Sequence, residues 1–299
     1  MKLLNPEVRI ETTNICNASC SICPRDKMTR PKATMPPEHF RELADQVASM
    51  GAKEISPFGY GEPLLDEHIA EHVEYITGLG LRSFITTNAS MLNTTMIFAL
   101  LSAGLSHIRF SVHGLGDSYE RMHGFKFSRI MQNIFNFTAT VKKRGYDCKT
   151  DVSVIPQDDE KERVITFWTD KVDDIEIWKA HNWADEKSFR DNSDVRMKTC
   201  GRPDKGPVQI NADGKMMVCC FDFDAKLTVG DTYKDSIEDI LHGEEFRRIR
   251  KKHRTGNLGG LVCDTCDQLN IGDNPLIYST IDKELRHGRT SSTKFRLLG

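Results

Sequence analysis

The chain has 299 residues, 38% of them hydrophobic and 28% charged, with a formal net charge of −2. A chain of this size buries a sizeable core, and its near-neutral balance leaves no electrostatic footprint for bulk nucleic-acid binding. No apolar run approaches the length of a membrane-spanning helix, and the opening run 1–9 is short and polar rather than a signal peptide. The nine cysteines are therefore read as thiols of a reducing, cytoplasmic compartment that serve metals or redox chemistry.

In chain order, β-rich runs fall at 8–13, 54–58, 81–87, 107–113, 150–155 and 174–178. Between them, helical spacing recurs at Phe40, Leu43, Val47 and Met50, at Ile69, Val73 and Ile76, and at Ile130, Ile134, Phe137 and Val141. Pro36 and Pro37 suit a helix start, and Gly51, Gly80, Gly104 and Gly145 stand where helices stop before the next strand. Six β-α units in succession predict parallel strands with crossover helices, in an open doubly wound sheet or an incomplete barrel. In either, chemistry gathers at the C-terminal strand ends. After Trp178 the pattern breaks into a polar linker over 181–198. A hairpin signal follows at Ala212-Asp213-Gly214, between runs 207–211 and 215–219. Short helices are expected over 236–241 and 244–252, with the basic run from Arg247 to Arg254 as a solvated face. The stretch 270–299 is polar and is expected to be partly disordered or to cap the barrel. The expected divisions are 1–185, 186–272 and 273–299.

Cys16, Cys20 and Cys23 form a C-x3-C-x2-C array just past the first strand-like run. A [4Fe-4S] cube takes four thiolates, so three leave one iron with an open position for a small molecule. A zinc knuckle would show a second close pair or histidines, and none follows Cys23 nearby. Cys148, in the fifth strand region, reads as a buried small hydrophobe. The remaining cysteines are Cys200, the adjacent Cys219 and Cys220, then Cys263 and Cys266 as a C-x2-C pair. Four thiolates suit one fully ligated cluster or a structural zinc.

Three further motifs stand at successive strand ends: Gly59-Tyr60-Gly61-Glu62-Pro63, Thr86-Thr87-Asn88-Ala89-Ser90 and Ser111-Val112-His113-Gly114. Together with the first array they resemble the radical S-adenosylmethionine superfamily over residues 7 to about 180, with Tyr60 at the middle position of what is usually Gly-Gly-Glu. The resemblance implies α/β architecture as a partial (β/α)6 TIM-like barrel. It also implies a [4Fe-4S] cluster on Cys16, Cys20 and Cys23, S-adenosyl-L-methionine chelating the open iron, and a flavodoxin- or ferredoxin-type electron donor. Gly59 and Gly61 would let the backbone approach the methionine moiety, and Glu62 would accept from its ammonium or cap the following helix. Asn88, Ser90 and Ser111 would hold ribose hydroxyls or the carboxylate.

The second cysteine set, with Gly214 five residues before Cys219, resembles the C-terminal SPASM and Twitch extensions that carry auxiliary clusters. The later cysteines of a full SPASM module are missing, so the shorter α+β Twitch form with one [4Fe-4S] cluster on Cys200, Cys219, Cys263 and Cys266 is implied. The glycine spacing selects Cys219 over Cys220. In size and cysteine layout the chain resembles the Twitch dehydrogenases of aminocyclitol biosynthesis. That implies hydrogen-atom abstraction from a small polar, sugar- or cyclitol-like substrate for its oxidation, with the auxiliary cluster as electron relay, while decarboxylation or epimerisation would use the same parts. A peptide-modifying enzyme ranks below it, because no room is expected for a recognition domain ahead of Cys16, and a non-catalytic electron-transfer scaffold ranks lower still. His113, Lys179 and His181 are expected near the barrel mouth as substrate or proton-relay residues, or as hydrogen-bonded strand-end residues.

Overall fold

Six short strands alternate with helices over the first 178 residues: β1 (Glu7–Ile10), α1 (Pro37–Ser49), β2 (Glu54–Ser56), α2 (Ile69–Gly78), β3 (Arg82–Thr87), α3 (Thr94–Ser102), β4 (His107–Ser111), α4 (Asp117–His123), α5 (Phe127–Arg144), β5 (Lys149–Val154), α6 (Lys161–Trp168) and β6 (Asp174–Trp178). There follow α7 (Arg202–Lys205), β7 (Val208–Ile210), β8 (Lys215–Met217), β9 (Thr228–Asp231), α8 (Ile237–His242), α9 (Glu244–Thr255) and β10 (Lys294–Leu298). These come from a computed structural model describing residues 2–156, 160–178, 180–183, 196–270 and the backbone of 294–298. Local signals account for several boundaries. Pro37 opens α1, the Asn93 side chain accepts from Met96 N at the start of α3, and Gly145, at φ 69°, closes α5 with a left-handed residue.

The strands pair in the order β10-β6-β5-β4-β3-β2-β1-β7-β8-β9. From β10 to β7 every pairing is parallel, and β7, β8 and β9 form an antiparallel meander. Sequential order from β1 to β6 gives the partial barrel and excludes the doubly wound alternative, whose strand order reverses at a switch point. The barrel stays open because β1 gives its second edge to β7, in the register Val8↔Val208 to Ile10↔Ile210. β6 gives its outer edge to β10, so the stretch expected to be disordered or a cap contributes a strand.

Period-two alternation sorts the side chains. In β4, Ile108 and Phe110 join an apolar cluster with Ile134 and Phe137 of α5 and Trp168 of α6. His107 and Arg109 point the other way, into the barrel, where Asp151 of β5 accepts from both and Glu176 of β6 pairs with Arg109 at 2.8 Å. A second cluster joins Val8, Ile10 and Ile55 to Phe40, Leu43 and Val47 of α1. It runs on through Ile210, Met216 and Val229 to Ile237 and Ile249 of α8 and α9. Cys148 is buried just before β5, as expected. Among the described residues no helix is long and apolar enough to cross a membrane.

Candidate active site

β1 ends at Ile10, three residues sooner than expected, because the chain there leaves the sheet to close a loop. Thr12 O accepts from Met35 N at 2.7 Å, and Asn14 N donates to Ala33 O at 3.1 Å. Asn14 also bonds Ala33 N and Pro31 O through its side chain. This neck holds Cys16, Cys20 and Cys23 together past the C-terminal end of β1. Their thiols are free and half-buried. Burial pushes all three up, and Cys20 reaches about 12 with the fields of Cys23 and Cys16 added to burial. All three thiols line one cavity, and three thiolates are the donor set that leaves one iron of a [4Fe-4S] cube open.

The glycine loop after β2 lies directly on the segment after β1. A Cβ on Gly59 would meet Glu11 Oε1 at 2.4 Å, and one on Gly61 would meet Thr13 O at 2.1 Å. Close approach of the Glu11 side chain accounts for Gly59, and close approach of backbone for Gly61. Glu62 N donates to Ile15 O, and the Glu62 carboxylate accepts from Thr87 Oγ1 at 2.5 Å, Asn88 N at 2.7 Å and Leu64 N at 3.2 Å. The last bond caps the short 3-10 turn Pro63–Leu65. Burial still lifts the Glu62 carboxyl to about 7. Asn88 and Ser90 both bind Asn17 inside the cysteine array, Asn88 Nδ2 donating to Asn17 Oδ1 at 3.0 Å and Asn17 Nδ2 donating to Ser90 Oγ at 2.9 Å. They therefore fasten the loop that carries the thiols.

A cavity of about 520 Å³ opens between these pieces. The three cysteines, Gly59, Gly61, Glu62, Asn88, Ser111 and His113 all reach its wall. Ser90 lies behind that wall, and His181 stands apart from it, against Phe221 at 3.7 Å and Trp183 at 4.0 Å between ring centroids. Lys179 lies outside the described residues. His113 Nδ1 accepts from Ile155 N at 3.1 Å, which places the ring proton on Nε2, and burial holds its pKa down at about 4. The ring is a neutral hydrogen-bond donor.

Sequence reasoning missed three supports. Glu11, 1% exposed, accepts from Tyr60 N, from Arg30 and from Ala212 N, so one carboxylate ties β1, the glycine loop, the cysteine loop and the later hairpin. Tyr60 packs tilted against Trp183 and edge-on against Phe223, and its hydroxyl donates to Cys220 O. His123, at the end of α4, places Nδ1 3.3 Å from Cys20 Sγ. Each depends on a partner far away in sequence, and no local spacing marks it.

The second cysteine set sits beside this wall. Cys200, Cys263 and Cys266 are half-buried with thiols raised by burial, Cys266 to about 12. Of the adjacent pair, Cys219 is raised and Cys220 lowered, chiefly by the hydrogen bond between them, with Arg202 favouring both thiolates. Trp183 spans the two sets: its indole N–H donates to Ile22 O, between Cys20 and Cys23, at 2.8 Å, and its ring lies 5.6 Å from Phe221. The neighbouring Asn182 is fixed to Asp267 and Thr265, so the described start of the expected linker is anchored.

The chain matches the description of the radical SAM superfamily over residues 10–167, more than half its length. It belongs to the radical SAM superfamily. The SPASM iron-sulfur cluster-binding domain matches residues 200–267, which include all five later cysteines, so the zinc reading gives way to an auxiliary iron-sulfur cluster. Membership brings a [4Fe-4S] cluster and S-adenosylmethionine to this radical SAM enzyme. The chain is 24% identical to the S-adenosyl-L-methionine-dependent 2-deoxy-scyllo-inosamine dehydrogenase of Niallia circulans over 271 residues, 88% of this chain and 93% of that protein. It is 37% identical to a probable GTP 3',8-cyclase of Methanothermobacter marburgensis over 105 residues, 35% of this chain, and spans only 34% of the cyclase's length. Among solved structures, BtrN in complex with AdoMet and 2-DOIA superposes with a TM-score of 0.66 at 18% identity, over 92% of this chain and 98% of that one. Streptococcus suis SuiB bound to precursor peptide SuiA gives a TM-score of 0.67 at 12% identity, over 96% and 75%. Both share the fold of this radical SAM chain.

Proposed function

We propose that this radical SAM enzyme oxidises a small polar, sugar- or cyclitol-like alcohol, using an auxiliary [4Fe-4S] cluster as electron relay. The observation that carries the reading is the match with the inosamine dehydrogenase over 88% of this chain and 93% of that protein. The cavity, about 520 Å³, falls within the ordinary range of small-molecule sites. In this reading residues 1–185 form the radical SAM barrel, 186–272 the auxiliary-cluster domain and 273–299 a C-terminal tail.

Cys16, Cys20 and Cys23 hold the first cluster, and Cys200, Cys219, Cys263 and Cys266 the second. When bound, the first cluster and S-adenosylmethionine supply a 5'-deoxyadenosyl radical that removes a hydrogen atom from an unreactive C–H bond. Glu62 accepts from the ammonium of S-adenosylmethionine beside Gly59 and Gly61, while Asn88 and Ser90 fix the cysteine loop through Asn17. Ser111 faces the bound nucleoside or substrate, and the neutral ring of His113 lines the same wall as a substrate contact. Lys179 and His181 remain candidates for taking the hydroxyl proton. The reductant is a flavodoxin- or ferredoxin-type protein in a cytoplasmic setting.

Anaerobically reconstituted enzyme, reductant and a panel of C-deuterated cyclitols and amino sugars test the reading. We expect deuterium in 5'-deoxyadenosine in step with a ketone two hydrogens lighter than the substrate. The fold shared with SuiB bound to its precursor peptide favours a second reading, peptide modification. Turnover on peptides alone would replace the first reading with the second.

A further inference from the structure

His123 is built so that its two ring nitrogens have different work. Nε2 accepts the backbone N–H of His113 at 3.1 Å, and Nδ1 lies 3.3 Å from Cys20 Sγ. A neutral imidazole carries one N–H and one lone pair, so an accepted bond at Nε2 puts the proton on Nδ1, facing the sulfur. The ring is held in that pose. His123 is 1% exposed and lies between Tyr119, at 4.4 Å with planes 18° apart, and His113, at 5.0 Å with planes 27° apart. The amide it accepts is itself fixed, because it lies two residues past the end of β4 and the His113 ring takes a bond from Ile155 N. Cys16 also receives donors, Ala18 N at 3.4 Å from within the loop and Asn88 Nδ2 at a longer 3.9 Å. The bond to Cys20 comes from a separate helix, over 103 residues of chain.

We propose that His123 is a positioning residue that donates an N–H···S hydrogen bond to Cys20 and thereby raises the reduction potential of the cluster on the first array. The inference rests on the reading of Cys16, Cys20 and Cys23 as cluster ligands. A donor aimed at a ligand sulfur stabilises the extra negative charge of the reduced cluster more than that of the oxidised one, and hydrogen bonds to sulfur are among the recognised determinants of cluster potential. Here the donor is rigid and buried, where such a bond is strongest.

The test is an EPR-monitored redox titration of anaerobically reconstituted enzyme, with the array's cluster identified by its spectral change on adding S-adenosylmethionine. His123→Phe keeps a stacked ring and removes the donor, whereas His123→Gln keeps an N–H near the sulfur. With iron and sulfide content unchanged, the ratio of reduced to oxidised cluster at a fixed potential should fall about tenfold in His123→Phe, about 59 mV for one electron, with most of it recovered in His123→Gln. An unchanged midpoint in a fully loaded His123→Phe overturns the proposal. A second measurement needs no variant: wild-type protein labelled with ¹⁵N-histidine should show nitrogen hyperfine coupling in the reduced cluster's spectrum, and its absence overturns the proposal. Wild-type protein that binds no cluster sensitive to S-adenosylmethionine fails earlier, at the ligand assignment itself.

Discussion

Glu62 is pulled two ways. Three donors favour its charged form, yet burial outweighs them and lifts its pKa from 4.5 to about 7. Ionising it therefore costs the ligand-free fold, and that contribution to stability falls as pH rises from 4.5 to about 7. A bound ammonium reverses the sign, because only the carboxylate pairs with it fully. S-adenosylmethionine should bind more weakly as pH drops through about 7, approaching tenfold per unit for a single coupled proton. Equilibrium dialysis of the reconstituted enzyme between pH 5.5 and 8 checks this, and Glu62→Gln should flatten the profile. At this scale the sequence was partly legible. Glu62 stood out by its motif, with capping and cation binding both open, and the structure shows the cap. Asn88 and Ser90 stood out by position, but their partner Asn17 lies 71 and 73 residues away. Glu11 could not be found, because its meaning depends on Ala212, 201 residues on.

Among the elements, β4, β5 and β6 carry both an apolar face and a charged one. Asp151 accepts from His107 Nε2 at 2.8 Å and from Arg109 at 2.7 and 2.8 Å, all deep in the barrel. Removing the shared acceptor takes from a buried guanidinium the carboxylate that holds it by two hydrogen bonds, leaving Glu176 and the more distant Asp174. Asp151→Ala should cost about 3–5 kcal/mol, seen in urea as a lower midpoint at an unchanged slope. All six barrel strands were readable because each pairs one run of alternating residues with the next. β9 and β10 were not. The first is a polar four-residue run, Thr228–Asp231, and the second takes its strand form from the open edge of β6. α4 is a single short element whose seven residues gave no periodic signal. The helix that carries His123 was thus invisible, and so was the role of the histidine.

At the scale of the whole molecule, one sheet runs from β10 to β9 through both cysteine-bearing parts. The second apolar cluster crosses the same boundary, from Phe40 to Ile249. The cluster-free protein should therefore unfold in a single calorimetric transition, and a chain truncated after residue 185 should be insoluble or molten rather than a folded barrel. Two well-separated transitions in the full chain would contradict that shared core. The pairing of β1 with β7 also has a consequence in time. Val8 meets Val208 only after 200 further residues have been made, which takes about 10–40 s at ~5–20 residues per second of synthesis. Throughout that interval the strand leading into the first cysteine array has one bare edge, the kind of surface that invites pairing with other chains. Until its own hairpin emerges, the newborn strand is exposed to capture by a neighbouring chain.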